Sequence, residues 1–256
     1  MSLRVDIGWL IATLLVSVRV ASAIVVAPVL GPSQIPAPAR VALVLALSAS
    51  IVAGVPVATS AAPTEIFALI AAALGEVVYG LAFAFGFIAA YAATQVAGRA
   101  LDIQVGFGAA GVLNPATRTM SPLLGSVLGM LMISAFLSLD GHLVLIKALA
   151  VSLATLPPGQ AFARIDPVLI LNHSAATFTF GLALAAPVMF MLLLADLAMA
   201  VFARSMPQLN IFVLGFAVKI VLGLSGLALA VRFSNAVLEK LFSSSFLYWD
   251  RLANGA

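Results

Sequence analysis

Between Pro167 and Ala195 the chain carries no Asp, Glu, Lys or Arg, and the same holds from Val41 to Thr64. About 20 consecutive apolar residues are enough to cross a bilayer as a helix. Backbone placed in lipid must satisfy its own hydrogen bonds, which restricts spanning structure to helices and closed barrels. Intervals of this kind predict helices over 7–30, 41–60, 66–95, 122–139, 167–200 and 208–232, with a shorter one over 142–156 that carries Lys147. Prolines punctuate them: Pro28, Pro32, Pro36 and Pro38 break the first junction, Pro63 the second, and Pro157-Pro158-Gly159 ends the short helix. Only 8% of residues are charged and 64% are hydrophobic, against roughly a quarter charged in soluble domains. No soluble core could hide so much apolar surface. The expected fold class is all-α, a polytopic membrane-type helical protein.

At the amino terminus, Ala21-Ser22-Ala23 mimics a signal-peptide cleavage site. Arg19 nevertheless interrupts the apolar stretch, and hydrophobicity continues through Leu30, so residues 7–30 read as a retained first helix. Cysteine is absent, which excludes disulfides, thiolate nucleophiles and iron–sulfur ligation. The twelve basic residues are scattered and form no run, so nucleic acid is not an expected partner. His142 and His173 are the only histidines, and no HExxH, Gly-x-Ser-x-Gly or Walker pattern occurs. No catalytic residue, metal site or cofactor is expected.

Four ionisable groups fall inside apolar segments: Arg19, Glu76, Asp196 and Lys219. Charges within a membrane are costly and serve either transport chemistry or helix pairing. A tight turn over 203–209 would bring residues 196 and 219 to similar depths on antiparallel helices, which favours an Asp196–Lys219 pair over a proton relay. Gly215, Lys219, Gly223 and Gly226 recur at helical spacing and share one stripe. Small residues so placed let backbones approach closely, and Lys219 is expected to point into that packed interface.

The most unusual polar stretch is residues 98–122. Gly106, Gly108 and Gly111 alternate with Phe107 and Val112 before Asn114-Pro115 breaks the chain. It is too polar to face lipid and too apolar for an ordinary solvated loop. Irregular backbone at membrane depth needs protein or a water-filled cavity around it. Two readings stay open: a plain helix connector, or a re-entrant plug. Residues 156–167 form the clearest internal boundary, and the amphipathic tail after Arg232 ends with Tyr248 and Trp249, which suit a membrane–water boundary.

Four stretches carry a family resemblance: RVASAIVVAPVLGPSQIPAPARVALVLALS (19–48), the 98–122 segment with its Asn-Pro-Ala, LDGHLVLIKALAVSLATLPPG (139–159) and MPQLNIFVLGFAVKIVLGL (206–224). In order and nearly full length, they resemble the FliR family of flagellar type III export-gate proteins and its virulence-associated counterpart. Ala217 stands where that family often has proline, and Asp140 where asparagine is common. The full Pro-Gln-Leu-Asn run favours the flagellar branch.

The resemblance implies a non-enzymatic subunit of a protein-conducting gate in the bacterial inner membrane, within the flagellar basal body. It implies a FliP-like part over 1–160 containing the plug loop, then a FliQ-like helical hairpin and tail over 161–256. The implied partners are FliP-like and FliQ-like subunits, a FlhB-like subunit, membrane lipid, and unfolded flagellar substrates in transit. In such a gate, 98–122 is expected to form the closure element, with Gly106, Phe107, Gly108 and Gly111 at its core. The apolar helices are expected to be covered largely by sister subunits, so not every helix need cross the bilayer. Alternatives from other classes are a virulence secretion subunit, a small-molecule or ion transporter using Glu76 and Asp196, and a passive membrane scaffold.

Overall fold

The computed structural model describes residues 7–25, 36–55, 65–107, 123–160, 165–206 and 211–255. These residues form helices α1 (Ile7–Val25), α2 (Ala37–Gly54), α3 (Ile66–Val105), α4 (Leu123–Ser138), α5 (Gly141–Thr155), α6 (Pro167–Ser205), α7 (Ile211–Phe233) and α8 (Asn235–Asn254), with no strand among them. Five of them, α1, α2, α3, α6 and α7, are long and apolar enough to cross a membrane, or six if α4 and α5 together count as one span.

Local chemistry sets the helix ends. Pro36 precedes the first turn of α2, and Pro38 sits within it, where a missing N–H costs nothing. Asp140, at the break before α5, has φ 54°, a left-handed conformation that Asn and Asp tolerate better than most residues. The Asn-to-Asp departure at this site is therefore a conservative one.

Helix α3 departs from expectation. It continues ten residues past 95, so 98–105 are its last two turns and not loop. Helix α8 is a second departure. Tyr248 and Trp249, whose side chains suit a membrane–water boundary, are fully buried against α3. The indole Nε1 donates to the Phe83 carbonyl at 2.8 Å, and the phenol to the Ala82 carbonyl at 2.8 Å. Burial and then the neighbouring Tyr79 hold the Tyr248 hydroxyl above its ordinary pKa, so it stays a neutral donor.

The helices gather into two compact units. The first takes α1, α2, α3 through Ala89, α5, α6 through Ser174 and α8 from Ser244. Its core packs Val16, Val20 and Ile24 of α1 against Val44, Ile51 and Val52 of α2, with Leu153 of α5. The second takes α3 from Ala90, α4, α6 from Ala175, α7 and α8 through Ser243. There α3 and α4 touch backbone to backbone: a Cβ on Gly98 would overlap the Cα of Gly125. The Gln95 side chain donates to the Gly125 carbonyl at 3.0 Å beside that contact.

Candidate functional site

In the first unit, Arg19 of α1 and Glu76 of α3 are wholly buried and paired. Arg19 Nε donates to Glu76 Oε2 at 2.5 Å, and Nη2 to Oε1 at 3.1 Å. Two further guanidinium donors go to Ser152 Oγ at 3.0 Å and the Leu156 carbonyl at 3.2 Å. Glu76 Oε1 also accepts the Gly159 amide at 2.8 Å. The Tyr79 ring lies under the guanidinium, 4.9 Å from its carbon, and its hydroxyl donates to the Leu252 carbonyl.

A charge pair this dry holds only because nearly every donor and acceptor is matched. It ties α1, α3 and α5 to the connection that follows α5. A carboxylate wholly buried, with both oxygens hydrogen-bonded, presents no exposed face to a solute, which weighs against a transport role for Glu76. Sequence reasoning flagged both charges and missed their partnership across 57 residues. It also missed the part played by Gly159, whose φ of 94° turns its amide toward the carboxylate.

In the second unit, Lys219 of α7 forms an ion pair with Asp196 of α6. This pair is not sealed: Lys219 remains 23% exposed and Asp196 41%. Gly215, Gly223 and Gly226 are buried on the same face of α7. Their neighbours are Met199 beside Gly215, Val105 of α3 beside Gly223, and Met191 beside Gly226. The glycine stripe is thus the packed face of α7, with the lysine at its edge reaching across to α6. Ionised groups this open would be costly against lipid, so the patch is suited to polar surroundings.

At the end of α3, Gly106 adopts φ 103° and returns its amide to the Asp102 and Ile103 carbonyls, the left-handed close common at helix termini. The Phe216 ring of α7 packs against it, 3.1 Å from where a Cβ would stand. Asp102 is buried, and its Oδ1 accepts the Leu124 amide at 3.0 Å in the first turn of α4. A carboxylate there satisfies an otherwise orphaned amide and opposes the positive end of the helix dipole. Gln104 donates to the Met189 carbonyl of α6 at 3.2 Å.

Phe107 is half-buried. Gly108, Gly111, Val112, Asn114 and Pro115 lie outside the described residues. The structure therefore fixes both roots of the central segment, and one side chain, Asp102, joins them. Asp102 was not singled out by sequence, because a lone acidic residue in a polar stretch reads as solvated.

The family described as bacterial export proteins, family 1, matches residues 10–245. The chain is similar to the flagellar biosynthetic protein FliR of Escherichia coli (strain K12), 30% identical over 94% of this chain and 92% of that protein. It is similar to the protein of the same name in Bacillus subtilis (strain 168), 30% identical over 91% and 90%. It is also similar to the Yop proteins translocation protein T of Yersinia pestis, 29% identical over 56% of each.

Proposed function

The chain belongs to family 1 of the bacterial export proteins, and from that premise we propose that it is a non-enzymatic subunit of the protein-conducting gate. It is a multi-pass membrane component of the flagellar type III export apparatus. The flagellar relatives of Escherichia coli and Bacillus subtilis align over more than nine-tenths of the chain, the virulence relative over little more than half. In this reading residues 1–160 correspond to a FliP-like part and 161–256 to a FliQ-like hairpin and tail. The chain assembles with FliP-like and FliQ-like subunits and a FlhB-like subunit to pass unfolded flagellar substrates. The 98–122 segment, with Gly106, Phe107, Gly108 and Gly111 at its core, serves as the closure element of the conduit.

One observation supports obligate assembly above the rest. Helices α3 and α6 run for 40 and 39 residues, about 60 Å each at 1.5 Å per residue. The hydrocarbon core of a bilayer is only about 30 Å thick. Yet large apolar side chains are exposed along the full length of α6, from Val168 and Leu171 through Phe190 to Val201 and Phe202. Lipid can cover about half of that surface, and neighbouring protein must cover the rest.

The test is expression with and without the FliP-like and FliQ-like chains, followed by size-exclusion chromatography. A stable joint complex and an aggregated lone chain are expected. Monodisperse, folded protein in both cases would contradict the reading.

A further inference from the structure

We propose that the groove between α1 and α2 is a phospholipid site, in which Arg40 grips the phosphate and an acyl chain lies along the helices. The groove encloses about 420 Å³, within the roughly 300–1,000 Å³ usual for small-molecule sites. Its walls are apolar: Ala21 and Val25 of α1 face Val41, Val44 and Leu45 of α2. Among the described residues, Arg40 is the charged side chain in this lining. Its Nε is shut off from solvent and has no hydrogen-bond partner among the described residues. An unmatched buried donor is costly, and most such groups in folded proteins find an acceptor.

Position argues for lipid as the source of that acceptor. Helices α1 and α2 are both long and apolar enough to span the membrane, and a groove between two such helices is within reach of acyl chains. Helix α2 has 18 residues, about 27 Å, close to the thickness of the hydrocarbon layer. Arg40, in its first turn, therefore sits near the level of the headgroup phosphates. A guanidinium pairs with phosphate through two parallel N–H bonds. Apart from Arg40 and Ser17 of α1, the described lining is apolar, through Val44 and Leu45. An anion attached to a long aliphatic body matches both parts. A carboxylate from a neighbouring subunit would match the cation alone, and a helix about 10–12 Å across would exhaust the volume in about one turn.

The experiment uses the purified gate complex containing the full chain, delipidated in detergent and read by native mass spectrometry. Three probes are titrated: dioleoyl phosphatidylglycerol, dioleoylglycerol and inorganic phosphate. Saturable binding of one phosphatidylglycerol per chain is expected, with each of the other probes weaker by about tenfold or more. Arg40→Gln should weaken phosphatidylglycerol by about tenfold or more. Ser17→Leu, which narrows the groove at another lining residue and leaves Arg40 in place, should weaken it similarly. Equal retention by wild type and R40Q would overturn the proposal. So would inorganic phosphate binding as tightly as the lipid. A photo-crosslinker at Val41 that captured a partner subunit and no lipid would assign the groove to protein instead.

Discussion

Arg19 and Glu76 bury their opposite charges completely against each other, joining a helix near the start of the chain to the first half of α3. Removing one partner strands the other in a dry site, at a cost of about 3–5 kcal/mol. Arg19→Met and Glu76→Gln should each sharply lower the amount of folded chain in membranes, measured by thermal aggregation of the co-expressed complex. The double substitution should recover part of the loss. Strictly additive losses would show that the two charges act separately.

The half-open Asp196–Lys219 pair calls for a different outcome. Partial solvation screens an ion pair, so Asp196→Asn or Lys219→Met should disturb folding less than either change at Arg19 or Glu76. The losses should appear in assembly, as weaker recovery of FliP-like and FliQ-like chains with tagged protein, and the double variant should regain some of it. Folding losses as large as those at Arg19 would refute a solvated patch.

Gly98 admits no side chain, because Gly125 backbone occupies the space. Gly98→Val should destabilise the chain by about 1–3 kcal/mol through overpacking, read as a lower unfolding midpoint in detergent. Gly54, with no described residue near its missing side chain, is the control, and Gly54→Ala should leave the midpoint unchanged or raised. Equal effects at the two sites would contradict the close crossing of α3 and α4.

For the central segment, deletion across Gly106–Gly111 should make the inner membrane leaky to small ions while the complex still assembles. Apolar constrictions block ions by dewetting and can yield to a passing chain. Asp102→Ala, which frees the root of α4, should produce a smaller leak, and Arg118→Ala smaller still. Conductance of cells co-expressing the partners is the readout. An assembled, ion-tight deletion would leave the segment a plain connector.

Where the helices lie was largely legible in the sequence, because charge-free intervals are a one-dimensional signal of a lipid-sized hydrophobic length. The Asp196–Lys219 contact was legible for a related reason: a short turn equates depth on two consecutive helices. Arg19 and Glu76 are separated by the whole of α2, and nothing local states which distant helix supplies the counter-charge. The last turns of α3 misled for the opposite reason. Arg99, Asp102 and Gln104 look like loop, but Asp102 and Gln104 are accommodated by an amide of α4 and a carbonyl of α6. The burial of Tyr248 and Trp249 was not legible, because their polar atoms suit a membrane boundary as well as they suit two helix carbonyls.

The clasp of Trp249 on the Phe83 carbonyl also has a consequence in time. The two residues are 166 positions apart, so at about 5–20 residues per second the ribosome needs roughly 10–30 s to deliver the second after the first. Throughout that interval α3 exists without the aromatic cover that closes its unit, and Gly86 presents an open notch where the indole will sit. Completion of this unit is therefore a late event in synthesis, and a stall or cleavage before residue 248 yields a chain whose early helices have formed but whose first unit has never shut.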